Sequence, residues 1–377
     1  MNCIESYQKW LNVPDLPAYL KDELLSMDDK TKEDAFYTNI EFGTAGMRGY
    51  IGAGTNRINI YVVRQVTEGL AKLVESKGET AKKAGVAIAY DSRHFSPEFA
   101  FESAQVLAAH GIKSYVFESL RPTPELSFAV RYLGAFAGIA DALTDYIRAI
   151  DNPFAVALAD LEEAKSTGLI EVIGETLDAA YLEEVKSVNI NQDLIDQYGR
   201  DMKIVYTPLH GTGEMLARRA LAQAGFESVQ VVEAQAKPDP DFSTVASPNP
   251  ESQAAFALAE ELGRQVDADV LVATDPDADR LGVEIRQADG SYWNLSGNQI
   301  GALIAKYILE AHKQAGTLPK NAALAKSIVS TELVTKIAES YGATMFNVLT
   351  GFKFIAEKIQ EFEEKHNHTY MFGFEES

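Results

Sequence analysis

Cysteine is almost absent from this chain of 377 residues, with Cys3 the single instance. That excludes an internal disulfide framework and fits a reducing compartment. Positive charge is also scarce: 34 Lys and Arg stand against 55 Asp and Glu, a formal net charge of −21. Nucleic acid and anionic membranes are repelled by such a balance, so neither is expected as a partner. A small anionic substrate remains open, because a local basic site can hold it. No stretch is long and apolar enough to span a bilayer. Residues 1–12 carry Glu5 and Lys9 and no apolar run, unlike a signal peptide. The simplest expectation is a cytoplasmic protein. What is present is an ordinary globular balance, 46% hydrophobic and 24% charged, with material for two or three domains.

The most informative stretch is 268–282. Val270-Leu271-Val272-Ala273 reads as a buried strand. It runs into Thr274-Asp275-Pro276-Asp277-Ala278-Asp279-Arg280, which places three carboxylates at alternate positions. Carboxylates this close repel, and at least one pKa rises unless a divalent cation removes the conflict. Oxygen donors without His or Cys suit Mg²⁺, Mn²⁺ or Ca²⁺ rather than Zn²⁺. Pro276 cannot sit in a central strand, so the carboxylates lie just past the strand end. Arg280 adds a fork-shaped donor suited to a phosphate. Three rival readings compete. An EF-hand counted from Asp275 needs Gly sixth and Glu twelfth, where Arg280 and Arg286 stand, and is rejected. A haloacid-dehalogenase-type phosphatase using Asp275 as nucleophile calls for Thr or Val at Asp279. The plain alternative is a solvated acidic turn.

A strand, a polar loop, a helix, a Gly-led turn and a second strand recur three times. The copies span 85–117, 202–232 and 322–348, with turn glycines at Gly111, Gly225 and Gly342. Spacings of 114 (225 − 111) and 117 (342 − 225) residues are too long for a solenoid and fit repeated α/β domains built from βαβ units. The polar loop of the first copy is Asp91-Ser92-Arg93-His94. The domains expected are 1–190, 191–313 and 314–377, the second closed by a helix from Asn298 to Lys313. Short helices are expected over 15–26 and 31–36, and a longer one over 60–77 capped by Asn59. Leu281–Arg286 and 291–295 read as a hairpin about Asp289-Gly290.

Other loops carry candidate chemistry. Phe42-Gly43-Thr44-Ala45-Gly46-Met47-Arg48-Gly49 surrounds one Arg with three glycines, allowing close backbone approach to a ligand. Pro208-Leu209-His210-Gly211-Thr212-Gly213 follows a strand and opens a helix, so its N–H groups suit an anion. Thr350-Gly351-Phe352-Lys353 offers a hydroxyl, a flexible backbone and a cation, and Glu375-Glu376-Ser377 offers hydrogen bonds for sugar hydroxyls. For each, ordinary turn chemistry is the competing explanation.

Taken in this order, the loops from Glu41 to Ser377 resemble the α-D-phosphohexomutase family, and within it most closely the glucose-phosphate mutases. The resemblance implies repeated α/β domains with mixed, mostly parallel sheets around a central cleft. It carries the active-site arginine to Arg48 and implies Mg²⁺ on Asp275, Asp277 and Asp279. Arg280, Thr350, Gly351, Lys353, Glu375 and Ser377 then become substrate-binding residues, and His210 joins Arg48 as a catalytic candidate. The implied reaction passes a phosphoryl group from a phosphoserine to glucose 1-phosphate. A glucose 1,6-bisphosphate intermediate turns over and yields glucose 6-phosphate. The partner is a small sugar phosphate.

Two departures stand out. The family's Thr-Ala-Ser-His-Asn-Pro loop should follow the strand over 135–139, yet Ile139 passes through Ala140 to Asp141, an apparent N-cap of a helix over 142–150. The sequence also stops at Ser377 inside a motif, leaving the third domain incomplete and the family's fourth domain unseen. Ser247, in Ser247-Pro248-Asn249-Pro250, is only superficially like the missing serine loop. The expectation is that the complete protein carries both segments and is an isomerase. The alternative is a non-catalytic sugar-phosphate binder.

Overall fold

All three strand–helix–strand repeats form. In the computed structural model the described residues are 3–40, 49–139 and 152–376, with the backbone of 42–43 and 46–47. They divide into two units, 1–90 with 95–120 and 126–174, and 91–94 with 121–125 and 175–377.

In the first unit, β1 (Phe42–Gly43) and β2 (Gly46–Met47) pair antiparallel. The first repeat follows as β3 (Val86–Ile88), the helix Ser96–Ala109 and β4 (Ser114–Phe117). With β5 (Ala137–Gly138) and β6 (Ile170–Ile173) they make a parallel sheet in the order β5-β3-β4-β6. Both strands of the repeat are buried at every position, as a parallel sheet covered by helices requires. The helix Ile60–Ser76 contributes Leu70, Ala71 and Val74 to the same core. Asn59 caps it by accepting from Tyr61 and Val62 N–H, as its position predicts.

A helix over Cys3–Leu11 was not foreseen. It buries Trp10 edge-on against Phe36, Tyr61 and Phe154. The expected helix over 142–150 lies outside the described residues.

The second unit holds two sheets. The second repeat gives β7 (Ile204–Thr207), the helix Gly213–Ala224 and β8 (Val229–Val231). The order is β11-β10-β9-β7-β8, with β9 (Val270–Thr274) parallel to β7. β10 (Leu281–Arg286) and β11 (Tyr292–Leu295) form the expected antiparallel hairpin. The third repeat gives β12 (Ala322–Ser327), the helix Leu333–Ser340 and β13 (Thr344–Val348). β14 (Thr369–Phe374) completes a parallel sheet in the order β13-β12-β14.

The helix Gly297–Gln314 packs Ala302, Ala305 and Leu309 against Ala322, Leu324, Val334 and Ala338. Its apolar face thus joins the core of the third repeat, whereas the sequence reading used it to close the second. Periodicity showed that the face was apolar and not which sheet it covers. One irregularity matters below. Ala323 pairs with Tyr370 but Leu324 pairs with Phe372, so β14 carries one extra residue, Met371, a β-bulge.

Candidate active site

β9 runs through the middle of its sheet and delivers the acidic loop at its C-terminal end. Asp275 is fully buried, Asp277 half-buried and Asp279 exposed, and each offers an oxygen within 4.8 Å of the others. Ala278 takes φ +53 at the apex, the tight turn that folds the three carboxylates inward. Asp275 accepts from the Arg280 N–H at 3.0 Å and from its guanidinium at 2.9 and 2.8 Å. Asp277 has its pKa pushed up to about 6, by burial first and by the neighbouring Asp275, with Arg93 acting the other way. This is the crowding the sequence predicts. A divalent cation suits this donor set: it offers positive charge to a half-buried carboxylate that holds its proton more tightly than usual, through hard oxygen ligands alone.

Arg93 escaped the sequence reading as a site residue. It pairs with Asp91, and its charge reaches Asp277, while the Thr123 N–H donates to the Asp277 carbonyl at 2.9 Å. An Arg in a polar loop at the end of a repeat's first strand was the available signal.

The loop carrying His210 packs against the acidic loop. Thr212 N–H donates to the Pro276 carbonyl at 2.8 Å. A Cβ on Gly211 would sit 2.6 Å from that carbonyl oxygen and 2.8 Å from the Asp275 carbonyl oxygen, so only glycine allows this approach. His210 itself is 3% exposed. Its Nδ1 faces the Lys237 carbonyl at 2.9 Å and its Nε2 the Thr244 hydroxyl at 2.8 Å. Both ring nitrogens are engaged by a neighbouring segment, an arrangement that suits holding this loop in place.

At the other sheet, Gly351 N–H donates to Glu375 Oε1 at 2.6 Å, which brings two of the predicted sugar loops together. Gly351 takes φ +127, open to glycine alone. Thr350 is exposed, and Lys353 lies over its neighbour Phe354. Glu376, which the sequence offered beside Glu375 for sugar hydroxyls but which the resemblance left out of the substrate-binding set, turns to Ser330 at 2.6 Å and Ser327 at 3.2 Å. Below them Lys326, fully buried, donates to the Ser330 carbonyl at 2.9 Å and pairs with Glu332 at 3.0 Å. Arg48 and Ser377 lie outside the described residues.

Comparison with known proteins agrees with this layout. Three domain models described as phosphoglucomutase/phosphomannomutase alpha/beta/alpha domains I, II and III match residues 39–144, 179–288 and 296–377. A phosphoglucomutase of Staphylococcus epidermidis is 36% identical over 397 aligned residues, covering 98% of this chain and 70% of the relative. One from Staphylococcus aureus strain USA300 is 37% identical over 371, covering 93% and 65%. Among solved structures, the open form of the Paramecium protein parafusin superposes with a TM-score of 0.62 at 18% identity, over 90% of this chain and 67% of that one. A Burkholderia thailandensis protein titled as of the phosphoglucomutase/phosphomannomutase family gives 0.58 at 18%, over 88% and 71%. Both likenesses are of fold.

Proposed function

This chain belongs to the phosphoglucomutase/phosphomannomutase family of sugar-phosphate mutases, and from that premise we propose that it interconverts glucose 1-phosphate and glucose 6-phosphate through a glucose 1,6-bisphosphate. The observation carrying this is the acidic triad at the end of β9 with Arg280 locked to Asp275. The curated relatives, named for the glucose reaction, support the choice of sugar.

In this reading Asp275, Asp277 and Asp279 would hold Mg²⁺, which would supply positive charge against a transferring phosphoryl group. Asp275 has a second task. Its buried carboxylate fixes the Arg280 guanidinium, and the donors that Arg280 does not spend on Asp275 are available to a phosphate oxygen. Arg93 adds a second cation near Asp277. Thr350, Gly351, Lys353 and Glu375 bind the sugar phosphate, with Glu375 accepting from sugar hydroxyls. Arg48 and Ser377 complete the set by their place in the motifs. Pre-set donors of this kind act mainly by orientation and charge, which is most of what phosphoryl transfer asks of a protein.

Residues 140–151 contain no serine, so the phosphoryl carrier is assigned to no residue of that segment. The test is a coupled assay of glucose 6-phosphate formation by the complete protein, with phosphoprotein followed after incubation with glucose 1,6-bisphosphate. Turnover with phosphoprotein is expected. Sugar-phosphate binding without either signal would replace the mutase reading with that of a non-catalytic binder.

A further inference from the structure

We propose that Glu376 is a positioning residue for sugar-phosphate recognition. Held by Ser327 and Ser330 beside the buried Lys326, it fixes the end of β14 so that Glu375 is presented to the Thr350-Gly351 loop. The inference rests on the reading of that loop as the sugar site.

Adjacent residues of an extended chain point to opposite sides, so one glutamate faces in when the other faces out. Glu376 is the inward one. Its Oε2 accepts from Ser330 Oγ at 2.6 Å and from Ser327 Oγ at 3.2 Å, and the two hydroxyls lie 2.7 Å apart. Burial favours the neutral form of Glu376, yet the hydroxyls and the charge of Lys326 outweigh it and keep the carboxyl below its ordinary range. A buried ammonium is tolerated only when its donors are satisfied, and Lys326 spends them on the Ser330 carbonyl and on Glu332.

The backbone is gripped as well. Gly297, at the start of the helix Gly297–Gln314, touches the Glu376 carbonyl so closely that any Cβ would overlap it. One turn on, Gly301 receives the ring of Phe374. Asn298 Oδ1 accepts from the Thr331 N–H at 2.7 Å, tying the same helix start to the serine turn. Three segments therefore fix residues 374–376 on one side. The side chain left to face the other way is Glu375, whose Oε1 takes the Gly351 N–H.

Without the Glu376 carboxylate, Ser327 and Ser330 still bond each other. The fold does not depend on the acid, whereas the aim of Glu375 does. The loss on its removal therefore falls on ligand recognition.

The test measures glucose 6-phosphate affinity by calorimetry and mutase kinetics on the complete protein, with thermal unfolding alongside. Glu376→Ala should weaken binding and raise KM about tenfold, with kcat within about twofold, because orientation and not chemistry is lost. Glu376→Gln, which keeps an acceptor oxygen for Ser330, should recover most of that loss. Ser330→Ala should add little in the Glu376→Ala background, since the two act as a unit. Unchanged affinity in Glu376→Ala, with binding lost in Glu375→Ala, overturns the proposal alone. Unchanged affinity in Glu375→Ala overturns the sugar-site reading and the proposal with it. If the alanine variant does not fold, Glu376→Gln and Ser330→Ala decide: affinities in both equal to the wild type overturn the proposal, and a loss in Ser330→Ala supports it.

Discussion

Glu125, fully buried in the first turn of the helix Thr123–Leu133, faces the carboxylate of Asp178, and as an ion it finds no hydrogen-bond donor for either oxygen among the described residues. Asp178 holds the guanidinium of Arg121 with two bonds of 2.8 Å, leaving Glu125 only a 3.7 Å approach to the same group. The physical resolution is a proton: as a neutral acid Glu125 donates to Asp178. Its pKa is pushed up to about 8, by burial first and then by Asp178, against the pull of Arg121 and Arg219.

Stability should therefore fall with pH through this group. An acid whose folded-state pKa is raised keeps its proton where the unfolded chain has lost it. The cost accumulates from the ordinary value of 4.5 and is complete above about 8. Glu125→Gln keeps the shape and an amide donor for Asp178 and cannot ionise. Denaturant melts across pH 5–9 should show a flatter profile and, above pH 8, a variant more stable than the wild type.

His110 should contribute a second slope, beginning above pH 6.5. Its ring lies between Glu68 at 2.7 Å and Glu75 at 3.0 Å. Burial disfavours its charge, but the two carboxylates outweigh burial and raise its pKa above the ordinary 6.5. The stability it supplies is whole below 6.5 and is lost as pH rises through the raised folded value. His110→Gln should lower the melting temperature at pH 6, and by progressively less as pH rises above 6.5.

Magnesium should stabilise the protein in proportion to its binding, by about 2.7 kcal/mol at a concentration 100 times its Kd. Asp277→Asn and Asp279→Asn should abolish that shift in melting temperature. Asp275→Asn should do the same and also destabilise the metal-free protein by about 1.5–3 kcal/mol, because the Arg280 pair is lost with it.

Gly211→Ala should act on the metal at a distance in sequence. Its methyl would press on the Pro276 and Asp275 carbonyls and displace the acidic loop. Metal affinity measured by calorimetry should fall more than tenfold if the loop shifts by about 1 Å. An equal loss for Gly211→Ala and for a surface control such as Gly290→Ala would contradict this account.

What the sequence made legible is what depends on neighbours in the chain. The three βαβ units, the Asn59 cap, the hairpin about Asp289-Gly290 and the acidic loop all follow from patterns a few residues long. What it concealed depends on partners far away. The partners that Lys237 and Thr244 offer the His210 ring lie too far along the chain for the loop's own pattern to show them. The helix Cys3–Leu11 makes sense only once Phe36, Tyr61 and Phe154 are there to receive Trp10. Glu125 and Asp178 lie too far apart in sequence for any pattern to pair them.

The extra residue in β14 makes the same point more sharply. Tyr370 packs toward the helix Phe352–Lys365 with Ile355, yet Phe372 and Phe374 join the opposite core with Leu324. Simple alternation from Tyr370 would turn Phe374 the wrong way and exchange the two glutamates that follow. The bulge at Met371 works as a parity bit: by taking one residue out of the alternation it decides which of two adjacent, chemically identical side chains meets the ligand and which is built into the scaffold. Deleting Met371 would join the Ala323–Tyr370 and Leu324–Phe372 pairs directly and keep the same carboxylate at the site, whereas straightening the bulge with every residue kept would hand the site the wrong one.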